Sequence, residues 1–275
     1  MGQSTEFLEE RFGLKGRTIV ITGGAGVLAG SMAEALLRAG ARVSLWGRHA
    51  DSLQEAAGRI GKAADAGDRI DWLVADAQSE PSVEEATHAC AHKSGGIDAL
   101  INAVGGNRGK SSFLDTDIAL FEEVLKLNLV AGFMVPTKVL CRHWIGRKAR
   151  GSVINMASMS SYVPLSGVWA YDAAKAAVLN LTMAAAKEFA PHGIRVNAIA
   201  PGFFLGKQNK ALLVDEKTGQ LTQRGKDIIA RTPFSRFGEP DDLAGAVVFL
   251  SSDKASGFVT GICIPVDGGF LVDCV

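Results

Sequence analysis

The sequence has few of the features that mark secreted, membrane-bound or nucleic-acid-binding proteins. Its 4 cysteines among 275 residues form no Cys-x-x-Cys pair, which favours a reducing compartment. Lys+Arg 29 balances Asp+Glu 29, so no net field attracts nucleic acid or an anionic membrane. No apolar run is long enough to span a bilayer. We therefore expect a cytoplasmic protein that binds small molecules.

Short apolar runs alternate with amphipathic segments, beginning with the β-branched run Thr18–Thr22, a glycine turn and a helix over 28–39. Nearly continuous apolar runs are typical of parallel strands buried on both faces. We predict one domain over residues 1–275, with a doubly wound α/β fold and helices on both faces of a parallel sheet. The other predicted strands are 42–46, 70–74, 99–102, 152–156, 195–199 and 262–266, and the other predicted helices are 51–60, one opened at 79–81, 117–130, 171–190 and one starting at 239–240.

One long segment interrupts this alternation. Residues 203–236 follow Pro201-Gly202 and are less regular and in places basic. Insertions at the carboxyl ends of parallel strands usually build a substrate site. The segment is therefore predicted to form one.

The first strand, turn and helix predict a dinucleotide site. Gly23 and Gly26 lie in the turn, where backbone amides and a helix N-terminus can meet a pyrophosphate. Asp76, after the third strand, is a candidate acceptor for an adenine amino group. The second strand ends in Gly47-Arg48, without the carboxylate that would hold the ribose 2′-OH of NAD. A guanidinium at that place favours the 2′-phosphate of NADP over NAD.

A tyrosine and a lysine with helical spacing predict an acid/base pair. Tyr171 and Lys175 lie four residues apart in a predicted helix, so both side chains share one face. A fixed cation favours phenolate and is expected to draw the pKa of the phenol towards neutrality. The other tyrosine, Tyr162, has Ser166 at that spacing. Tyr171 is therefore the candidate.

Several short motifs occur in a set order along the chain. They are Thr22-Gly23-Gly24-Ala25-Gly26, Asp76, Asn102-Ala103-Val104-Gly105, Asn128, Ser158, Tyr171, Lys175, Pro201-Gly202 and Asp267-Gly268-Gly269. Together they resemble the short-chain dehydrogenase/reductase family over about residues 14–270. The chain departs from the family's glycine motif at Val27 and Ala29, and from its Asn-Asn-Ala-Gly motif at Ala103 and Val104.

The resemblance implies a role for each residue of the motifs. Tyr171 would protonate a substrate carbonyl as hydride arrives from the nicotinamide, and Lys175 would lower the pKa of Tyr171 and hold the nicotinamide ribose. Ser158 would hydrogen-bond the same carbonyl, and Asn128 would anchor a proton-relaying water. The implied assembly is a homotetramer, and no metal is implied. The implied cofactor-binding residues are Gly23, Gly26, Val27, Leu28, Arg48, Asp76, Ala77, Asn102, Val104, Gly105, Tyr171, Lys175, Pro201 and Gly202.

The substrate is indicated by a finer resemblance. Within the family, residues 24–28, 200–210 and 232–238 resemble the D-mannonate oxidoreductase (fructuronate reductase) branch, which usually has Thr in place of Gly206. A sugar acid needs partners for its hydroxyls and its carboxylate. The candidates for hydroxyls are Asn107, Ser158, Gln208 and Asn209, and those for the carboxylate are Arg108, Lys207, Lys210 and Arg231.

Other interpretations remain open. The chain is also compatible with a reductase of another ketose, a polyol or a 3-oxoacyl compound, or with a non-catalytic dinucleotide-binding protein. Residues 105–111 nearly form a phosphate-binding loop, but Val104 stands where its first glycine belongs. His88 and His92 share a helical face without a third ligand nearby in sequence. No Gly-x-Ser-x-Gly motif surrounds Ser158, which disfavours a hydrolase.

Overall fold

The computed structural model describes residues 3–205, 213–215 and 218–273. Across these residues, seven parallel strands form one sheet in the order β3-β2-β1-β4-β5-β6-β7. This confirms the doubly wound α/β prediction. The strands are β1 Thr18–Thr22, β2 Arg42–Gly47, β3 Ile70–Val74, β4 Ala99–Asn102, β5 Gly151–Met156, β6 Ile194–Pro201 and β7 Cys263–Val266.

Helices cover both faces of the sheet. None of those that the structure describes is long and apolar enough to cross a lipid bilayer. They are α1 Gln3–Phe12, α2 Val27–Arg38, α3 Ala50–Ala63, α4 Glu80–Ser94, α5 Ile118–Leu125, α6 Val135–Gly146, α7 Trp169–Phe189, α8 Gln223–Ala230, α9 Ala244–Ser251 and α10 Asp253–Ser256, with a π-helical segment Lys126–Met134 between α5 and α6.

Alternation along β1 explains why its sequence is apolar throughout. Ile19 and Ile21 point into the core under α2, α3 and α9, whereas Val20 points into the core under α4, α6 and α7. Successive side chains of a strand face opposite sides of a sheet. Because both sides are covered, each position of the strand is buried.

The fifth helix continues well beyond the predicted end near Val130. The π-helical segment carries it directly into α6, which has Pro136 in its first turn. Proline removes a backbone donor and usually ends a helix, but the first turn of α6 tolerates it. The prediction for this helix was therefore too short, and α1 and α8 were not predicted at all.

Charged side chains join the amino ends of three strands. The guanidinium of Arg195 is buried and donates to Asp253 Oδ1 at 3.1 Å and to the Leu250 carbonyl at 3.0 Å. Arg17 contacts the same Asp253 carboxylate and donates to Asp98 Oδ1 at 2.6 Å. Burial alone raises the pKa of Asp253, but hydrogen bonds and attraction from both arginines bring it below its usual value.

We expect Asp253→Asn to lower the free energy of unfolding by about 2–4 kcal/mol, because it leaves the buried Arg195 without a counter-charge. The pKa of Asp253 is depressed in the folded state. Its contribution is therefore present above the unfolded pKa of about 4 and is lost as the pH falls through the folded pKa. Urea unfolding of both proteins from neutral to acidic pH measures this.

Asp68→Asn is the matched control, because Asp68 pairs with Arg42 at 3.0 Å while remaining fully exposed. The free energy of unfolding should fall much less in Asp68→Asn than in Asp253→Asn. Equal losses for the two variants, or a difference from wild type that persists at low pH, would contradict the role assigned to Asp253.

Candidate active site

The turn after β1 brings the chain close to two neighbouring strands. A Cβ on Gly23, whose φ is +66°, would lie 3.0 Å from the Ala103 carbonyl oxygen, and one on Gly24 would lie 2.7 Å from Leu45 Cβ. Glycine is needed for both close approaches. Gly26 then caps the N-terminus of α2, where the first backbone amides have no partner within the helix.

A cavity of about 330 Å³ opens beside this turn and is called the β2 cavity here. Its walls include Gly23, Gly26, Arg48, Asp76, Ala77, Val104 and Gly105. Arg48 is exposed and makes no hydrogen bond or salt bridge to another described residue. His49, the cap of α3, and Ser52 lie on the same wall. This end of the cavity therefore offers a guanidinium and a helix N-terminus to an anion.

A second cavity of about 550 Å³, the β5 cavity, adjoins the first. The two cavities share Gly26, Val104 and Gly105 as lining residues. The continuous space runs along the carboxyl ends of the strands, where ligands bind in open α/β sheets. The β5 cavity is lined by the predicted residues Val27, Leu28, Val104, Gly105, Asn107, Ser158, Tyr171, Lys175, Pro201 and Gly202.

Asn128 fastens the loop after β4 to the π-helical segment. It is fully buried, and its Nδ2 donates to the carbonyls of Gly106 and Val124, both at 2.8 Å. Its Oδ1 accepts from the Gly106 amide at 3.0 Å. A Cβ on Gly105 would lie 2.6 Å from Asn128 Oδ1 and 3.2 Å from Lys175 Nζ. Asn128 and Lys175 therefore meet at Gly105, and the π-helical turn, common at functional sites, is part of this arrangement.

Lys175 brings a buried amine into the β5 cavity. Its side chain is 4% exposed, and Nζ donates to the Met156 carbonyl at 2.7 Å. Burial lowers the pKa of this amine to about 8. Nζ lies 5.6 Å from the centroid of the Tyr171 ring. The predicted helical pair is therefore formed, one turn apart on the face of α7 that borders the cavity.

The phenol of Tyr171 does not behave as the sequence indicated. Burial raises its pKa, the hydrogen bond with Ser158 lowers it in part, and the Asp172 carboxylate raises it further. The expected shift towards neutrality was wrong, because desolvation is the largest influence on this phenol and raises its pKa. The amine of Lys175 is directed to Met156 instead.

One predicted cofactor residue lies away from both cavities. Asn102 is fully buried, and its Nδ2 donates to Thr137 Oγ1 and to Asn155 Oδ1, both at 2.9 Å. Asn155 in turn donates to Thr182 Oγ1 at 3.0 Å. Asn102 therefore ties β4 to β5 and α6, and its side chain faces the core and neither cavity. The other predicted cofactor residues line one cavity or both.

The predicted substrate residues lie in four different places, of which Arg231 is described below. Asn107 lines the β5 cavity, and Ser158 lies there beside Tyr171. Arg108 borders the β2 cavity and pairs with Glu123 at 2.8 Å. The residues Gly206, Lys207, Gln208, Asn209 and Lys210 lie outside the described residues.

Arg231 is not on the wall of either cavity. Its guanidinium lies 5.3 Å from the centroid of the Phe270 ring, and Nε is 3.8 Å from Asp273 Oδ2. The role of Arg231 as a carboxylate partner therefore stays a prediction that the walls of these two cavities do not support. The hydrogen bond from Lys175 Nζ to the Met156 carbonyl was not predicted, because any residue type can supply a main-chain acceptor.

The other chemical interpretations find little support. No helix begins at Lys110 or Ser111, because α5 starts only at Ile118, so residues 105–111 lack the helix of a phosphate-binding loop. The ring of His88 lies near that of His143, with centroids 6.5 Å apart. In the described part of the chain, no three His, Cys, Asp or Glu side chains are grouped to hold a metal.

Comparison with known proteins agrees with this arrangement. A family model described as enoyl-(acyl carrier protein) reductase matches residues 24–271. An uncharacterised oxidoreductase, UxuB, from Bacillus subtilis (strain 168) is 41% identical over 272 residues, covering 94% of this chain and 96% of the relative.

Two solved structures share the fold over almost the whole chain. One, provisionally named a D-mannonate oxidoreductase, comes from Haemophilus influenzae and has bound NAD; it is 33% identical, with a TM-score of 0.85 and coverage of 97% and 98% of the two chains. The other is a gluconate 5-dehydrogenase from Burkholderia cenocepacia J2315 in complex with NADP and tartrate; it is 31% identical, with a TM-score of 0.85 and coverage of 97% and 99%. This chain belongs to the short-chain dehydrogenase/reductase family and is an NAD(P)-dependent oxidoreductase that acts on CH–OH groups.

Proposed function

We propose that the protein transfers hydride reversibly between NADP and a sugar acid, with D-fructuronate and D-mannonate as the substrate pair. The observation that carries the proposal is the convergence of Asn128, Ser158, Tyr171 and Lys175 at one end of a cavity whose other end offers Arg48. The glycine turn, the α2 N-terminus and the unpaired guanidinium are suited to a dinucleotide phosphate.

The side chains at the β5 cavity would handle the proton of the reaction. Bound nicotinamide supplies the hydride. Tyr171 gives its hydroxyl proton to the carbonyl oxygen, and its raised pKa keeps that proton in place near neutral pH. Ser158 donates a hydrogen bond to the same oxygen as negative charge develops on it. Lys175 would hold the ribose and, with Asn128 nearby, would return a proton to the phenol.

The sugar-acid substrate is supported by the comparisons and by the polar wall of the cavity. The two solved relatives carry the names of a D-mannonate oxidoreductase and a gluconate 5-dehydrogenase. Asn107 is exposed and lines the β5 cavity; its Nδ2 donates to the Gly109 carbonyl at 2.7 Å, and we assign its amide oxygen to a substrate hydroxyl. Gln208 and Asn209 remain proposed hydroxyl partners, and Lys207 and Lys210 proposed carboxylate partners, together with Arg108.

The preference for NADP rests on the end of β2. The β2 cavity contains Arg48 there and no carboxylate from this strand. The relatives differ in this respect, since one structure contains NAD and the other NADP. We assign the preference in this chain to the exposed guanidinium of Arg48, which pairs with no other residue among those described.

The proposal extends to location and assembly. We infer a cytoplasmic protein, supported by the free, buried thiols of Cys90 and Cys141. We also infer one domain over residues 1–275, with 203–236 as the substrate-site insertion. A homotetramer is supported by exposed apolar side chains on the long helices, such as Ile118 and Met183.

A second candidate function is the reduction of a 3-oxoacyl thioester, whose keto group becomes a CH–OH group. The description of the matched family model, enoyl-(acyl carrier protein) reductase, favours it. Assays that offer an acyl thioester beside the keto acids separate the two functions. A non-catalytic role is disfavoured, because Ser158, Tyr171 and Lys175 all border the same cavity.

Tyr171→Phe should abolish reduction, because it removes the proton donor and leaves the ring in place. We expect kcat to fall by about 10²–10⁴-fold, with binding of NADPH retained. The measurement is the loss of NADPH absorbance with D-fructuronate, with other keto-sugar acids and uncharged ketoses alongside. Tyr162→Phe is the control and should stay active, because Tyr162 does not line the β5 cavity.

The compounds that the enzyme reduces test the proposed substrate, and the activity of Tyr171→Phe tests the proposed proton donor. Activity confined to uncharged ketones would contradict the sugar-acid substrate, and turnover that survives in Tyr171→Phe would contradict the proton donor.

Arg48→Ala should weaken NADPH binding by about 10–100-fold, because charge-assisted hydrogen bonds to the 2′-phosphate are lost. NADH binding should change little. The Kd values of both cofactors, from fluorescence titration, measure this. Arg59→Ala is the matched control, since Arg59 is an exposed arginine of the same helix region but does not line the β2 cavity. An equal effect on NADPH and NADH would contradict the assignment.

A further inference from the structure

A short turn follows Ser158 and is held by two serine hydroxyls. The 3₁₀ turn Met159–Ser161 begins directly after Ser158. The Ser160 amide donates to Ser158 Oγ at 3.2 Å, and the Ser158 amide donates to Ser161 Oγ at 3.3 Å. The two serines therefore cap the turn reciprocally, as in a capping box.

The hydroxyl of Ser161 also reaches helix α7. It donates to the Lys175 backbone carbonyl at 2.7 Å. One hydroxyl thus connects the backbone of Ser158, after β5, with the backbone of Lys175, one helical turn beyond Tyr171. The loop that follows is fastened separately, because the Leu165 amide donates to Asp172 Oδ2 at 3.1 Å.

The position of Ser158 depends on this turn. Its Oγ already accepts a hydrogen bond from the Ser160 amide, so its proton is available for a donor role towards the cavity. Ser158 is buried and lines the β5 cavity together with Tyr171, and its hydroxyl favours the phenolate of Tyr171 by lowering the pKa of the phenol. A small rotation of the turn would move Ser158 Oγ away from the phenol, and displacements of about 1 Å are costly in active sites.

We propose that Ser161 is a positioning residue that fixes Ser158 relative to Tyr171 and Lys175. It does not line the β5 cavity and therefore acts through Ser158. Its kinetic consequences rest on the proposed function, whereas its effect on the Tyr171 phenol does not.

The kinetic test compares Ser161→Ala with Ser161→Thr in NADPH-dependent reduction of D-fructuronate. We expect Ser161→Ala to lower kcat by about tenfold, which corresponds to ~1.4 kcal/mol. KM and the Kd of NADPH should stay within about twofold of the wild-type values, because the residues that line the two cavities are unchanged. Ser161→Thr keeps the hydroxyl and should recover most of kcat.

The matched control is Ser152→Ala. Ser152 is a buried serine whose hydroxyl donates to the Leu250 carbonyl at 3.0 Å, at the opposite end of β5. The Ser152→Ala variant loses the same kind of hydrogen bond, so its free energy of unfolding should fall while kcat stays unchanged. Losses of kcat that are equal in Ser161→Ala and Ser152→Ala would overturn the proposal.

The second readout is the titration of Tyr171 and needs no substrate. The chain has 2 tyrosines, so Tyr162→Phe leaves one phenol, whose phenolate is followed by near-ultraviolet absorbance while circular dichroism confirms the fold. Adding Ser161→Ala should raise the pKa of this phenol, so that less phenolate forms at each alkaline pH. In D-mannonate oxidation, which needs phenolate, the rise of kcat with pH should move to higher pH.

The two proposals fail in different ways. A wild-type protein that reduces no sugar acid contradicts the proposed function, but the titration still decides the role of Ser161. Unchanged phenolate formation in Ser161→Ala overturns the positioning role, whatever the substrate proves to be.

Discussion

The burial of the Lys175 amine is the constraint on which the rest of the site depends. Removing an ammonium from water is costly unless hydrogen-bond partners replace the solvent. The end of β5 supplies the Met156 carbonyl at 2.7 Å, and Gly105 leaves room for Nζ beside Asn128. Even so, burial lowers the pKa of the amine to about 8. The site therefore holds a cation that can release its proton near neutral pH.

The sheet brings these partners together because its strand order reverses between β1 and β4. At such a switch point the connections leave on opposite faces and open a crevice at the carboxyl ends. The π-helical segment must approach the same edge closely, and Gly132 permits it, since a Cβ there would lie 2.5 Å from the Val104 carbonyl oxygen. The cofactor turn and the proton-handling residues are thus packed against the same short loop after β4.

The sequence predicted the features that depend on local pattern and missed those that depend on packing. The strands were predicted because burial on both faces makes them apolar, and Tyr171 and Lys175 because helical spacing fixes their relation. The π-helical turn was missed, since a shift in backbone hydrogen bonds changes no residue type. The buried orientation of Asn102 depends on Thr137 and Asn155, which are distant in sequence.

The pKa of Tyr171 shows how the surroundings change the meaning of a motif. Spacing alone pairs the phenol with a cation, but the amine is buried and the phenol half-buried, and loss of solvent favours the neutral form of each. The phenol keeps its proton and the amine loses its own more readily. Ser158 favours the phenolate, while the Asp172 carboxylate opposes it. With desolvation and Asp172 acting against Ser158, the phenol carries its proton at neutral pH, which is the form that reduction needs, whereas oxidation requires the phenolate to be stabilised further.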